Sequence, residues 1–340
     1  MTILAGDIGG TNLRLAIYDD EASDKLCSAV FPTQETIDPG IAIREFLDQA
    51  EIDGIEFPHA SAIGIAGPIS DGLCRGTNLP WDIDERDLRV SLGIEQLKIV
   101  NDFTAQARTV PALGPRDLLI IQEGEPEEWG PILLLGPGTG LGVGYLLPDP
   151  GCAGGFRIQH SEGGHASFAP RSHWELGLMS FLQERYGRVS NERLLSGAGL
   201  TAITIYTARE YLHDTDAGPA LEAIIHSEGE DAASLISDRA FNRDDAICQR
   251  AITTFFDILG AVAGDMALIL MATGGIYIGG GMVPKLLPAF DAKRFRSNLG
   301  DKGRFIDSLG KIPVSLIRHP DPGLRGAALL ARDLHRATTV

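Results

Sequence analysis

The stretch Ile3-Leu4-Ala5-Gly6-Asp7-Ile8-Gly9-Gly10-Thr11-Asn12-Leu13-Arg14-Leu15 decides how the rest of the chain is read. An apolar run, Ile3 to Ala5, enters Gly6 to Asn12. A second run follows, in which Leu13, Leu15 and Ile17 alternate with Arg14, Ala16 and Tyr18. Alternation at period two predicts a half-buried strand. Two such strands joined by Gly9-Gly10 predict a hairpin, because glycine takes positive φ without steric cost. The bare backbone of that turn can approach a ligand, and its successive N–H groups form a concavity for anions. Thr11 adds a hydroxyl donor, and Asp7 adds a carboxylate suited to a hydrated Mg²⁺. The segment therefore reads as a phosphate-gripping hairpin, with an ordinary tight hairpin as the competing reading.

The pattern restarts farther along. Ile132 to Leu135 predicts a strand, Gly136-Pro137-Gly138-Thr139-Gly140 a turn, and Leu141 to Leu147 a second strand. Two strand–Gly/Thr turn–strand units about one domain apart suggest two related halves, each offering phosphate donors. Neither turn fits G-x-x-x-x-G-K-[ST] or G-x-G-x-x-G, which disfavours a P-loop NTPase and a Rossmann dehydrogenase.

The remaining pattern is mixed α/β. Strands are expected at Lys25–Phe31, Ala60–Ala66, Leu97–Val100, Gly275–Ile278 and Ile312–Ile317. Helices are expected at 41–50, 84–92, 103–113, 172–186, 198–212, 246–272 and 323–334. Pro and Gly between Ala112 and Asp117 suggest a domain boundary there. The expected division is 1–112 plus 322–340 for a small α/β domain and 113–321 for a large one.

Composition narrows the classes. The 340 residues suffice for about two domains. A hydrophobic content of 44% with 22% charged residues is ordinary for a globular protein. A formal charge of −17 argues against nucleic acid or an anionic membrane as partner. It leaves room for a phosphorylated ligand held by local donors. Cys27, Cys74, Cys152 and Cys248 are scattered, which suggests reduced thiols and a cytoplasmic setting. The N-terminus has no signal-peptide pattern. Ala251 to Ile278 is very apolar but contains Asp257 and Asp265, and reads as a buried helix followed by a strand.

Four segments carry candidate chemistry. Asn101-Asp102 falls where an apolar strand ends and a helix begins, the strand end at which open α/β sheets bind ligands. Asp102 there could accept the proton of an attacking hydroxyl, or could simply cap the helix. In Ser161-Glu162-Gly163-Gly164-His165 two glycines let Glu162 and His165 reach one polar ligand. A surface loop, or a metal held by His160, Glu162 and His165, is the alternative. Glu192, in Ser190-Asn191-Glu192-Arg193, could contact ligand or serve as a first-turn helix carboxylate. Gly279-Gly280-Gly281 after a strand could admit a flat nucleoside or form a plain turn.

Taken together, these segments resemble the bacterial glucokinase family, ATP-dependent hexose kinases of the actin/hexokinase/Hsp70 superfold, over essentially the whole chain. G-D-I-G-G-T-N at Gly6–Asn12 resembles its first phosphate motif, and G-P-G-T-G-L-G at Gly136–Gly142 its second. I-V-N-D-F at Ile99–Phe103, E-G-G-H at Glu162–His165 and S-N-E-R at Ser190–Arg193 resemble its sugar segments. G-G-I-Y-I-G-G-G at Gly274–Gly281 resembles its adenosine motif, and P-G-L-R-G at Pro322–Gly326 its closing helix. The related group with a Cys-rich zinc motif has no counterpart here, since no Cys lies between Cys152 and Cys248. The chain as given has no helix-turn-helix before Ile3, so a repressor is not expected.

The resemblance implies a two-lobed actin-like ATPase (ribonuclease H-like) fold. Each lobe would hold a mixed β-sheet flanked by helices, with the active site in the interlobe cleft. It implies transfer of the γ-phosphoryl of ATP to the 6-hydroxyl of D-glucose in glycolysis. Asp102 would be the general base, and Asn78, Asn101, Asp102, Glu162, His165 and Glu192 would contact the sugar. Gly6, Asp7, Ile8, Gly9, Gly10, Thr11, Gly138, Thr139, Gly140, Gly279 and Gly280 would contact ATP. Mg²⁺ would bridge its phosphates, with Asp7 on the metal side. Homodimers are common in similar proteins. A kinase for another hexose and a non-catalytic sugar or nucleotide sensor on the same fold are the alternatives, and Asp102 discriminates against the sensor.

Overall fold

The computed structural model describes residues 1–76, 79–211, 224 and 229–339. Backbone contacts divide the chain into two units: Met1–Gly114 with Asp149–His160 and His319–Val340, and Pro115–Pro148 with Ser161–Arg318.

In the first unit, β1 (Thr2–Ile8), β2 (Asn12–Asp19) and β3 (Lys25–Pro32) form an antiparallel meander. β4 (Ala60–Ile65) and β5 (Gln96–Asn101) extend it in parallel, in the order β3-β2-β1-β4-β5. The hairpin registers Asp7 opposite Arg14 and Ile8 opposite Leu13. The expectation of a half-buried β2 needs correcting. Leu13, Leu15 and Ile17 are buried, and so are Ala16 and Tyr18 on the other side. The alternation separates two cores rather than core from solvent.

One core packs Leu4, Ile8, Leu13, Leu15 and Ile17 against α1 (Pro39–Ile52) and α2 (Glu85–Leu92). Asp38 and Asp84 start these helices, accepting the N–H groups of Ile41 and of Arg86 and Asp87. The other core packs Ile3, Ala5, Ala16, Ala60 and Ala62 against Ala105 of α3 (Asp102–Thr109). Leu324, Ala327, Ala328 and Ala331 of the last helix close it. The small side chains on this face let the two helices sit close to the sheet and to each other.

In the second unit, β6 (Leu118–Gln122), β7 (Ile132–Pro137), β8 (Leu141–Pro148), β9 (Gly275–Ile278) and β10 (Val314–Ile317) run in the order β8-β7-β9-β10-β6. β7 and β8 pair antiparallel, whereas β9 lies parallel to β7 and β10. The sheet is covered by α4 (His173–Tyr186), α5 (Gly197–Tyr211), α6 (Gly229–Asn242), α7 (Ala246–Leu270) and α8 (Ala292–Gly300). α7 is apolar and long enough to cross a membrane by composition, yet 67% of that stretch is packed inside the unit, as a core helix should be. α9 (Pro322–Thr339) returns to the first unit.

Candidate active site

In the first unit the β1–β2 turn is Gly9-Gly10-Thr11, closed by the Gly9 N–H donating to Asn12 O at 2.9 Å. Neither glycine has positive φ, contrary to the expectation for this turn. Its carbonyls are held from one side: Thr33 Oγ1 donates to Gly9 O (2.7 Å), Gln34 Nε2 to Gly10 O (3.3 Å) and the Thr33 N–H to Thr11 O (2.9 Å). Among the described residues, the N–H groups of Gly10 and Thr11 have no partner. The glycines thus serve by leaving donors uncovered, which is what an anion needs. Gly6 lies flat on Ile63, where a Cβ would sit 3.0 Å from Cγ2. Ile8 turns its side chain into the core, and its carbonyl accepts from Ala66. It can offer a ligand only backbone.

Asp7 stands beside this turn, with Arg14 Nη1 3.8 Å from its Oδ2. Burial pushes its pKa up, Arg14 pulls it down, and the charge of Asp321 pushes it up again.

Asn101 ends β5 and caps α3. Its Oδ1 accepts from Phe103 N (3.0 Å) and Thr104 N (3.3 Å), while its Nδ2 donates to Gly67 O at 3.1 Å. The capping alternative for Asp102 is therefore corrected, since its neighbour does that work. Asp102 Oδ1 accepts the Phe103 N–H at 2.8 Å. Burial and then the nearby Asp7 push the Asp102 pKa up to about 6, against the lowering effect of the Phe103 N–H. A carboxylate so placed is ionised at neutral pH, yet is a far better proton acceptor than an ordinary aspartate.

In the second unit the turn is Gly138-Thr139-Gly140, with the Gly138 N–H donating to Gly140 O at 2.8 Å. Glu192 Oε2 accepts the Leu141 N–H at 3.0 Å. A Cβ on Gly140 would fall 2.5 Å from that oxygen, so only glycine admits the contact. The other Glu192 oxygen is 3.8 Å from His165 Nδ1, and His165 Nε2 is 3.8 Å from Glu162 Oε2. Glu192 is thus no mere first-turn carboxylate, since it bonds a different segment. Glu162-Gly163-Gly164-His165 is no free loop either. Gly164 is buried against Leu141, where a Cβ would lie 2.3 Å from the carbonyl oxygen. The side chains of Glu162 and His165 remain open to solvent.

Gly280 has φ 85° and lies against the same hairpin, a Cβ there falling 2.2 Å from Pro137 O. Gly279 donates its N–H to Leu135 O at 2.7 Å. The glycine run after β9 therefore abuts the strand that leads into Gly138-Thr139-Gly140. Asn78 lies outside the described residues. Among the described residues, no three His, Cys, Asp or Glu side chains converge as metal ligands, so the His160, Glu162 and His165 alternative has no support.

The family profile described as Glucokinase matches residues 4–334. The chain belongs to the glucokinase family. It is 40% identical over 333 residues to a glucokinase of Chromobacterium violaceum, covering 96% of this chain and 88% of that one. A glucokinase from an Antarctic psychrotroph aligns with a TM-score of 0.80 at 29% identity, over 98% of this chain and 99% of that one. A ROK family glucokinase from Streptomyces griseus, solved with glucose and AMPPNP, shares the fold at a TM-score of 0.65 and 21% identity, over 98% and 99% of the two chains. The actin-like ATPase fold with mixed sheets, expected from the sequence, is the glucokinase fold seen here.

Several residues that organise the candidate site of this glucokinase-family chain were not evident in the sequence. Thr33 and Gln34 brace the first turn through strand pairing that only the fold reveals. Arg188 Nη1 donates to His165 O at 2.8 Å, anchoring the Glu162–His165 segment from 23 residues away. The sequence carries no local signal for either.

Proposed function

We propose that this glucokinase-family chain transfers the γ-phosphoryl of ATP to the 6-hydroxyl of D-glucose, giving glucose 6-phosphate and ADP. The observation that supports this most is Asp102, a strand-end carboxylate relieved of capping duty and tuned to a pKa of about 6. It accepts the proton of the 6-hydroxyl as that oxygen bonds to the γ-phosphorus and the bond to the bridging oxygen breaks, releasing ADP. Such a base contributes about 10²–10⁴ in rate. Asn78, Asn101, Glu162, His165 and Glu192 hydrogen-bond the ring hydroxyls. The N–H groups of Gly10 and Thr11 and the Gly138–Gly140 turn hold phosphate oxygens, and Gly279 and Gly280 admit the nucleoside. The complex of the Streptomyces griseus relative with glucose and AMPPNP supports the same pair of ligands.

Mg²⁺ fits the donor set. Asp7 is a carboxylate whose pKa is raised by burial and by Asp321 against the lowering effect of Arg14, and the Asp102 carboxylate is near enough to feel its charge. Mg²⁺ needs only one or two carboxylates when it also takes water and phosphate oxygens. When bound it would neutralise charge on the β- and γ-oxygens. The reading also has the enzyme acting in glycolysis, in the cytoplasm and as a homodimer. The four cysteines, none of them in a disulfide, are consistent with a reducing compartment.

A coupled assay with Mg²⁺-ATP and a panel of hexoses tests the proposal. Glucose should give the highest kcat/KM. A higher value for mannose or fructose would replace the substrate, and sugar binding without turnover would favour a sensor.

A further inference from the structure

Three segments of the second unit meet at one residue, Leu141. Its N–H donates to Glu192 Oε2 at 3.0 Å. Its carbonyl side is packed by Gly164, which has no room for a Cβ. Leu141 itself is the first residue after the Gly138–Gly140 turn. The segment carrying Glu192 touches this turn twice, because the Gly197 N–H donates to Gly138 O at 3.0 Å. It also touches the Glu162–His165 segment. The Asn191 N–H donates to Ala166 O at 2.9 Å, and Ser167 bridges Ser190.

Glu192 is the side chain at the centre of this arrangement. Asn191 is buried and holds the short turn from which Glu192 projects. One carboxylate oxygen is committed to the backbone beside the phosphate turn, and the other faces the ring of His165 at 3.8 Å. A hydroxyl donated to the second oxygen fixes the carboxylate plane, and with it the bond of the first oxygen to Leu141. The ordering cost is then met once for two ligands, which is the physical content of positive coupling.

We infer that Glu192 couples hexose binding to phosphate binding, acting through Leu141 as a positioning residue for the Gly138–Gly140 turn as well as a sugar contact. The inference rests on the reading that this turn holds phosphate and that Glu162, His165 and Glu192 face the hexose. It yields an enzyme whose grip on ATP tightens when sugar is present, which limits unproductive ATP hydrolysis.

The test is calorimetric titration of the full chain with AMPPNP and with glucose, each alone and with the other saturating. In the parent protein glucose should tighten AMPPNP by at least about fivefold, and AMPPNP should tighten glucose by the same factor, as linkage requires. In Glu192→Ala the factor should fall to about one while each ligand still binds alone. Glu162→Gln should weaken glucose yet keep the parent factor. If Glu192→Ala does not fold, Gly140→Ala serves instead. Its methyl pushes Glu192 Oε2 off Leu141 without removing the carboxylate, and the factor should again drop to about one. A parent factor near one, or the parent factor surviving in the Glu192→Ala or Gly140→Ala variant, overturns the coupling and leaves the kinase reading standing. A parent protein that binds neither ligand overturns both.

Discussion

Asp7 and Asp102 lie close enough for the charge on Asp7 to help hold the Asp102 carboxyl at a pKa of about 6. The two come from different places in the sheet, Asp7 from inside β1 and Asp102 from just beyond β5, with β4 between those strands. The sheet order creates the pair, since the two are 95 positions apart in sequence.

A pH dependence follows. In the free enzyme the base form of Asp102 is lost as pH falls through about 6, so kcat/KM for glucose should fall about tenfold per unit below that point. An ordinary aspartate would hold the rate down to about pH 4. Difference infrared spectra of the parent against Asp102→Asn should show one carboxylate titrating near 6. A midpoint at or below 4.5 would remove the tuned base.

The same shift has a stability side. Because the folded-state pKa lies above the unfolded value, the native state binds the proton more tightly. This group's contribution to stability therefore declines as pH rises from about 4 to about 6. Asp102→Asn removes the buried charge and should be about 1–3 kcal/mol more stable than the parent at pH 7.5, with the gap vanishing below pH 4. Its turnover should drop by about 10²–10⁴. Urea unfolding at both pH values reads the first effect and steady-state assays the second. An Asn variant less stable than the parent at neutral pH contradicts the assignment.

Thr33 is fully buried, and its hydroxyl donates to Gly9 O at 2.7 Å. Thr33→Val keeps the shape and removes the donor, leaving a turn carbonyl unmatched at a cost of about 1–3 kcal/mol. Loss of the brace should raise KM for ATP several-fold, with KM for glucose within about twofold of the parent. Equal changes in both constants would mean that the brace serves general folding and not the turn.

Ser61, in the middle of β4, is 0% exposed, and among the described residues its hydroxyl has no partner. An unmatched buried hydroxyl is a standing cost. Ser61→Ala should leave activity unchanged and hold or raise stability by up to about 1 kcal/mol, read from the urea midpoint. A loss of more than 1 kcal/mol would show that the hydroxyl has a partner after all.

The sequence made the two Gly/Thr hairpins legible because strand alternation and turn chemistry are local. Helix starts were readable for the same reason, as at Asp84 and Ser172, where one side chain caps the next turn. What escaped was weakly patterned. α6 sets Ala233, Ile236 and Ala240 inward, two of them too small to stand out, and α8 buries only Phe295 and Leu299 among its larger side chains. β6 is an edge strand with Leu119 and Ile120 exposed, so it shows no alternation, and its pairing with β10 is irregular near Val314. In the site, the residue types in each motif were readable but their duties were not. Nothing local says that Asn101 caps α3, that Gly140 is bare for the sake of Glu192, or that Gly9 and Gly10 avoid positive φ.

The core beneath α9 has a temporal consequence. Ile3, Ala5, Ala16 and Ala62 are covered by Leu324, Ala327, Ala328 and Ala331, residues made some three hundred positions later. During synthesis the second unit, drawn from the middle of the chain, can complete its interior before the first can. The sheet made first must then wait with one apolar side uncovered until the ribosome has released α9. Until then that face is exposed apolar surface, the kind of surface through which partly folded chains associate.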